Sequence, residues 1–246
     1  MLLARMQPPL IFEDTARNAG RSGWTSAASQ IRLQKGRSLT DRSASLADDP
    51  FGGRRPTSHE RMTGLPWDAS YESGPAPWDI GQPQPAIVRL GSEGGFAGAV
   101  LDAGCGTGEN ALYIASLGLP VLGVDVARNA LAIARKKARD RGIEIEFAAA
   151  DAFQLERLKR SFKTVLDCGL FHTFDGDEQP VYVASLASVI ERDGTIYVLC
   201  FSDDGPDAGL HPVTQEQLRA AFRLGDGCLK AVLVGRVSVL EPLCST

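Results

Sequence analysis

The sequence predicts an α/β fold in which helices cover both faces of a mostly parallel sheet. Two apolar runs, residues 99–103 and 121–125, are too short for helices and therefore indicate buried strands. Between them, residues 109–117 place apolar side chains at helical spacing. A strand, a glycine-rich loop, a helix and a second strand in this order are typical of a βαβ unit, whose two strands are parallel.

Three glycines, Gly104, Gly106 and Gly108, follow the first predicted strand. Because glycine lacks a Cβ and accepts positive φ, bare backbone can approach a ligand at the start of the next helix. Asp102 lies two residues before this bend, and Asp125 ends the second strand 21 residues after Gly104. That separation is typical of a carboxylate that contacts the ribose of a bound nucleoside.

The glycine spacing argues against a dinucleotide site. Such a site has the pattern G-x-G-x-x-G, and Glu109 occupies the position of its third glycine. Acidic side chains at 102 and 109 would repel a pyrophosphate. They would instead suit a ligand that carries an ammonium and a sulfonium group.

This motif resembles that of the class I S-adenosylmethionine-dependent methyltransferases, in which an acidic residue precedes G-x-G-x-G. The likeness covers roughly residues 67–222. It implies a Rossmann-like, doubly wound, mostly parallel sheet with an antiparallel C-terminal edge strand, and S-adenosyl-L-methionine as cofactor. The expected cofactor-binding residues are Asp102, Gly104, Cys105, Gly106, Gly108, Asp125, Val126, Asp151, Ala152 and Trp78.

Composition limits the class of protein. The chain has 246 residues, a net charge of −4 and 43% hydrophobic residues, which suits one α/β domain with tails. An acidic balance argues against nucleic acid as a partner, because phosphate binding needs clustered positive charge. Five widely spaced cysteines without a C-x-x-C pair predict a reducing, cytoplasmic location and no metal site. We expect no membrane span, and a monomer or a weak homodimer.

Residues 1–61 are rich in Arg, Ser, Gly and Ala and show no sustained periodicity. Such a composition buries too little apolar surface to offset the entropy of ordering. We therefore expect a disordered segment or a non-native extension, with the methyltransferase domain over residues 62–246. An organelle transit peptide is a further reading, against which six acidic residues count.

Residues 62–90 contain Trp67, Tyr71 and Trp78 in a proline-rich setting that excludes a continuous helix. Similar Trp-Asp-x-Gly-x-Pro-x-Pro stretches precede the core in small-molecule methyltransferases related to the thiopurine type, where the segment folds over the cofactor. The resemblance implies a cofactor cap here and a core over residues 97–246. A hydrophobic plug made by the two tryptophans is the alternative.

Helical spacing returns over residues 127–141, and Gly142 is the expected stop. Residues 143–147 alternate and predict the third strand, which leads to Asp151. The resemblance implies that Asp151 accepts a hydrogen bond from the adenine amino group. The alternative role of the same residue is the N-cap of a short helix over residues 152–158, and the two roles are compatible.

The fourth predicted strand, residues 164–167, leads into a loop with Asp167, Cys168 and His172. Because ligands bind outside the carboxyl ends of parallel strands, this loop is expected to face the reacting methyl group. Asp167 and His172 are the candidate catalytic residues, with His172 as a general base or, alternatively, a structural histidine. Cys168 has no evident activator.

The remaining chain completes the predicted sheet. A capping-box pattern at 175–178 predicts a helix to about residue 190, and residues 195–201 predict the fifth strand. The loop over 202–212 is expected to border the acceptor, before a helix over 214–222. Residues 229–234 predict the edge strand. Residues 237–240 add a second one only if Gly235-Arg236 forms a tight hairpin, for which it is a weak signal.

The combined prediction is a methyltransferase that acts on a small molecule by direct in-line transfer to a phenol or quinol oxygen, a thiol or a heterocyclic nitrogen. The Asn/Asp-Pro-Pro-Tyr motif of amino-group methyltransferases is absent, since the chain reads Asp167-Cys-Gly-Leu170. Two alternatives stay open: a non-catalytic cofactor-binding protein and an NAD(P)-dependent oxidoreductase.

Overall fold

A computed structural model describes residues 51, 53–201, 212–222 and 230–233. Its described strands form one sheet in the order β3-β2-β1-β4-β5-β6, and all neighbouring strands are parallel. The predicted Rossmann-like α/β fold is therefore confirmed. The strands are β1 (Val100–Ala103), β2 (Val121–Asp125), β3 (Glu146–Ala149), β4 (Phe162–Cys168), β5 (Ile190–Leu199) and β6 (Lys230–Leu233).

Helices alternate with these strands. The described α-helices are α1 (Ser58–Thr63), α2 (Pro85–Ser92), α3 (Glu109–Ser116), α4 (Arg128–Arg141), α5 (Glu178–Ala187) and α6 (Gln215–Ala221). Short 3-10 helices cover Trp67–Tyr71, Ala152–Leu158 and Phe171–Thr173.

Two apolar clusters lie on opposite faces of the sheet. One contains Leu101 of β1 together with Leu186 of α5 and residues of α6. The other contains Val100 of β1 together with Leu112 of α3 and Leu131 of α4. Because successive strand residues point to opposite faces, neighbouring residues of β1 serve both clusters. All four residues of β1 are buried, which is why this strand appears in the sequence as a continuous apolar run.

Two predicted boundaries shift for local reasons. Ile143 donates its backbone N–H to Ala138 (3.0 Å) and so belongs to the turn after α4, which places β3 at 146–149 rather than 143–147. Asp193 has a φ of 60° inside β5, so the predicted turn at 193–194 is a bulge within a longer strand. The predicted end of α4 is confirmed, since Gly142 is its C-cap residue and takes the left-handed conformation.

The direction predicted for the edge strand is wrong. Lys230–Leu233 runs parallel to β5, with Thr195 opposite Lys230. The chain between β5 and β6 includes α6, and a strand that returns to the sheet after a helical crossover runs parallel. The possible second edge strand at 237–240 lies outside the described residues, as does most of the loop over 202–212.

The described structure extends before residue 62, where the sequence predicts the domain to begin. Residues 53–61 are described, and α1 has buried side chains at Ser58, His59 and Glu60. Thr57 and Glu60 form a capping box, which stabilises the start of α1. The expectation of disorder over residues 1–61 does not hold for 53–61, because polar and aromatic contacts order this segment. Residues 1–50 and 52 lie outside the described part of the chain.

No helix within the described ranges is both long and apolar enough to cross a lipid bilayer.

Gly108 provides a direct test of the packing between the glycine bend and α4. It has a φ of 82°, and a Cβ there would lie 2.9 Å from both Ala134 Cβ and Phe147 Cζ. We expect Gly108→Ala to combine backbone strain of about 1–2 kcal/mol with overpacking of about 1–3 kcal/mol. Gly118→Ala is the matched control, since Gly118 has a φ of 85° and nothing within 4 Å. Urea unfolding should show the larger loss for Gly108→Ala, and equal losses would contradict the packing argument.

Candidate functional site

The acidic residues predicted to hold the cofactor lie along one edge of the sheet. Asp102 is in β1, Asp125 ends β2, and Asp151 follows β3 by two residues. Because β1, β2 and β3 are adjacent and parallel, their carboxyl ends meet at the same edge. The strand order therefore brings together carboxylates that are far apart in sequence.

The glycine bend crosses this edge between β1 and α3. Gly104, Gly106 and Gly108 have φ values of 71°, 54° and 82°. A Cβ on Gly104 would lie 2.8 Å from Leu170 Cδ2, and one on Gly106 would lie 3.3 Å from Tyr71 Oη. Side chains at these two positions would fill the space between the bend, the cap and the loop after β4.

Asp102 is buried without adequate compensation. Its residue is 1% exposed, and neither carboxylate oxygen makes a hydrogen bond of good geometry. Burial, followed by the charges of Asp125 and Asp167, raises the pKa of Asp102 to about 7, while the Ala111 backbone N–H offsets part of this shift. A buried carboxylate in this state is suited to a cationic ligand, and the ammonium of S-adenosylmethionine is such a group.

Asp125 connects β2 to the bend. Its Oδ2 accepts the backbone N–H of Gly106 (2.8 Å), and its Oδ1 accepts that of Ala127 (2.8 Å). Burial raises the pKa of Asp125 despite these bonds. Each carboxylate oxygen can accept more than one hydrogen bond, so the side chain keeps acceptor capacity for a ligand hydroxyl.

Asp151 makes the contacts of a helix N-cap, which is the alternative to its predicted contact with adenine. Its Oδ1 accepts the backbone N–H of Phe153 (2.9 Å), which makes it the N-cap of the 3-10 helix. Gln154 Nε2 donates to the other oxygen at 3.4 Å. The adenine contact stays a prediction that these bonds neither require nor prevent.

Glu109 has a different role from the one expected. Arg141 donates to both of its carboxylate oxygens (2.8 and 2.9 Å), and Lys137 Nζ lies 2.8 Å from one of them. Burial opposes ionisation of Glu109, but the bonds from Arg141 and Lys137 outweigh it and hold its pKa below the usual value. Glu109 therefore joins α3 to α4, and its charge does not act as a free anion beside the bend.

The predicted cap packs as an aromatic cluster on the N-terminus of α4. Trp67 and Trp78 meet edge to face at 5.8 Å between ring centroids. Tyr71 accepts the indole N–H of Trp78 (3.3 Å) and belongs to an apolar cluster with Ala127 and Ala130. This arrangement fits both the cap and the hydrophobic-plug readings, since the cluster borders the bend at Tyr71 and also buries apolar surface.

His59 and Glu60 complete the cap, and sequence reasoning missed both. The His59 ring stacks on Trp67 at 4.2 Å with an interplanar angle of 10°. Glu60 is fully buried, accepts the backbone N–H groups of Thr57 and Trp67 (both 2.9 Å) and forms a bidentate pair with Arg54. The Thr-x-x-Glu pattern at 57–60 is a helix-start signal that could have revealed this segment.

Lys137 links the cap to the bend. Its Nζ donates to Thr107 Oγ1 (2.7 Å) and lies 3.9 Å from Asp79 Oδ2. Thr107 Oγ1 in turn donates to Asp79, the residue after Trp78. The bend, the cap and α4 therefore share one polar network.

Asp167 is tied into the loop that follows β4. It is fully buried, and its oxygens accept the backbone N–H groups of Leu170 (2.9 Å) and Phe171 (3.0 Å). Burial raises the pKa of Asp167 to about 7, against the effect of these backbone bonds. Its contacts are those of a residue that shapes the loop, and the predicted catalytic role stays untested.

His172 lies in the same loop, within the 3-10 helix Phe171–Thr173. It is 7% exposed and meets Phe201 edge to face at 4.6 Å. Cys168 precedes this loop, and burial, followed by the charges of Asp102 and Asp167, raises the pKa of its thiol well above the usual range. Cys168 is therefore a neutral thiol rather than a nucleophile.

The other predicted cofactor residues lie beside the bend or after a strand. Cys105 is half-buried, and burial raises the pKa of its thiol. Val126 follows β2 and Ala152 opens the 3-10 helix after Asp151, both partly exposed. In the part of the chain that the structure describes, no group of three or more His, Cys, Asp or Glu side chains is arranged to hold a metal ion.

Comparisons with known proteins identify related methyltransferases. A family model described as a methyltransferase domain matches residues 100–194. The 2-heptyl-1-hydroxyquinolin-4(1H)-one methyltransferase of Mycobacteroides abscessus is 37% identical over 147 residues, which are 58% of this chain and 65% of that protein. The chain thus spans less than two thirds of that relative.

Two further proteins are matched over more of their own length. An uncharacterised methyltransferase of Schizosaccharomyces pombe is 36% identical over 104 residues, 42% of this chain and 72% of that protein. A structure solved in work on the conversion of a disulfide bond into a thioacetal group during echinomycin biosynthesis is 39% identical, with a TM-score of 0.54. It covers 59% of this chain, and the match spans 69% of that chain.

Cofactor affinity should depend on pH through Asp102. A cationic ligand prefers the ionised carboxylate, so the Kd for S-adenosylhomocysteine should rise by up to about tenfold per pH unit below pH 7. Asp102→Asn should bind weakly at every pH and lose this slope, as measured by calorimetry between pH 5.5 and 8.5. Asp140→Asn, at an exposed site on α4, should retain the wild-type profile.

Thermal melting of the free protein provides a control, because its stability should change with pH in the opposite direction to cofactor affinity. Asp102 is an acid whose folded pKa is raised, so it stabilises the fold while protonated and loses that contribution as pH rises from about 4 to about 7. The Tm of Asp102→Asn should therefore fall less between pH 5.5 and 8 than that of the wild type. An unchanged binding profile together with an unchanged melting profile would show that Asp102 does not titrate in this range.

Proposed function

The chain belongs to the class I S-adenosylmethionine-dependent methyltransferases, and we propose that it transfers a methyl group directly to a small-molecule acceptor. One observation carries the proposal: Asp102 is buried and poorly compensated at the edge of the sheet where Asp125 and the glycine bend also lie. A site built to bind only neutral or anionic ligands would gain nothing from this costly arrangement.

The carboxylates divide the binding of the cofactor between them. Asp102 receives the ammonium group, Asp125 receives the ribose hydroxyls, and Asp151 receives the adenine amino group. The bend supplies bare backbone at Gly104, Cys105, Gly106 and Gly108, and Trp78, Val126 and Ala152 complete the walls. When bound, S-adenosylmethionine supplies an electrophilic methyl group on a sulfonium.

The protein accelerates the transfer chiefly by position and by exclusion of water. Holding an acceptor in line with the methyl carbon provides effective molarities on the order of 10⁵ M or more in favourable systems. The aromatic cluster of Trp67, Tyr71 and Trp78 borders the bend at Tyr71, and its proposed role is to keep solvent from the bound cofactor. No covalent enzyme intermediate is required, which agrees with the neutral state of Cys168.

The acceptor is a phenol or quinol oxygen, a thiol or a heterocyclic nitrogen on a small molecule. Two similarities support this class: one relative is named for a hydroxyquinolinone acceptor, and one solved structure comes from work on a disulfide-to-thioacetal conversion. His172 accepts the proton of acceptors that arrive neutral, whereas acceptors that are already anionic need no base.

An acceptor panel tests the activity. Purified protein with S-adenosylmethionine should form S-adenosylhomocysteine and a product heavier by one methylene with at least one of thiophenol, a catechol, a 1-hydroxyquinolin-4-one or a purine thiol, as detected by mass spectrometry. Asp125→Asn should lower kcat/KM at least about tenfold, because one buried charged acceptor is lost. Asp140→Asn is the surface control and should be unchanged. Binding of the cofactor with no product from any member would favour the non-catalytic alternative.

The role of His172 is tested by comparing acceptors. His172→Gln should slow transfer to a phenol of high pKa by about 10²-fold or more, which is the usual effect of a lost general base. Transfer to thiophenol, which is anionic at pH 8, should slow by less than about threefold in the same protein. Equal losses for the two acceptors would show that His172 is structural.

A further inference from the structure

Helix α1 contacts two parts of the molecule that the sheet alone keeps separate. On one side, Thr57 Oγ1 accepts the indole N–H of Trp67 (3.2 Å), and His59 stacks on the same indole ring. Ser58, between these two residues, faces the loop that follows β4. Three consecutive residues therefore connect the aromatic cap to the loop that carries His172.

The contacts of Ser58 are short, buried and specific. Its hydroxyl donates to the backbone carbonyl of Thr173 at 2.8 Å, and its backbone N–H donates to Glu178 Oε2 at 3.0 Å. Thr173 is the neighbour of His172. Because a hydrogen bond to a buried carboxylate is stronger than one between neutral groups, Glu178 holds α1 firmly against this loop.

Glu178 is the centre of this connection, which we call the Ser58–Glu178 clamp. The residue is 8% exposed and is the first residue of α5. Its Oε2 also accepts the Asp175 backbone N–H (3.2 Å), and its Oε1 accepts from Arg61 (2.7 Å). Arg61 also donates to Asp175 (2.6 Å). Ser58 and Arg61 of α1 therefore contact the turn that runs from Asp175 to Glu178.

We propose that Glu178 is a positioning residue for methyl transfer: through Ser58 it fixes the His172 loop relative to the cap that covers the cofactor. This inference rests on the proposed function. Glu178 touches neither the bend nor the carboxylates at 102, 125 and 151 in any described contact. Its effect is therefore on the placement of the acceptor loop and not on cofactor affinity.

The test compares Glu178→Gln with Asp177→Asn, which removes the same charge from the exposed neighbouring residue. Gln keeps one carbonyl oxygen for a backbone N–H but loses the pairing with Arg61. With the most active acceptor of the panel, kcat of Glu178→Gln should fall about tenfold or more, while the KM for S-adenosylmethionine changes less than about twofold. Asp177→Asn should match the wild type. Ser58→Ala, which removes the bond to Thr173, should lower kcat in the same direction.

Hydrogen exchange supplies a readout that needs no acceptor. With S-adenosylhomocysteine bound, amides of residues 170–175 should exchange about tenfold faster in Glu178→Gln than in Asp177→Asn, while residues 103–108 exchange equally. If no panel member is methylated by the wild type, the proposed activity fails but this comparison still decides the clamp. The clamp is refuted if both variants exchange alike at 170–175. It is also refuted if kcat stays within twofold, or if cofactor affinity falls in parallel with Tm.

Discussion

The structure depends on the burial of several carboxylates at one edge of a parallel sheet. Strand order brings Asp102, Asp125 and Asp167 close enough that the charges of the other two raise the pKa of Asp102. This arrangement opposes folding, because each charge loses hydration and is repelled by the others. Under the proposed function, a cationic cofactor offsets both effects, and the cost in the free protein becomes affinity in the complex.

Ion pairs near this edge of the sheet stabilise its surroundings. They do not neutralise the buried carboxylate of Asp102. Lys137 and Arg141 pair with Glu109 between α3 and α4, and Lys137 also donates to Thr107 of the bend. Arg54 pairs with the buried Glu60 inside the cap. These three cations are thus paired with acids that hold helices and cap together, and none of these described pairs includes Asp102.

Local patterns predicted most of the fold and only part of the site. The apolar runs, the three glycines and Gly142 act within a few residues, so β1, β2, the bend and α4 could be predicted from sequence. The direction of β6, and the fact that residues 53–61 are ordered, depend on contacts with residues that are distant in the chain. Ser58, for example, finds its acceptors 115 and 120 residues later. Glu109 was misjudged for the same reason, since its partners lie on α4.

The acids of this domain can be sorted by how well their hydrogen bonds are satisfied. Asp167, Glu60 and Glu178 are buried, and each accepts at least two backbone N–H groups, which is what a carboxylate that shapes a turn requires. Asp125 also accepts two backbone N–H groups but is partly exposed, so it both holds the bend and keeps capacity for a ligand. Asp102 stands apart, because it is buried and neither of its carboxylate oxygens has a hydrogen-bond partner of good geometry. A cationic ligand would compensate the charge of Asp102, which is why the proposed function assigns the ammonium of the cofactor to this residue and leaves the shaping of turns to the other buried acids.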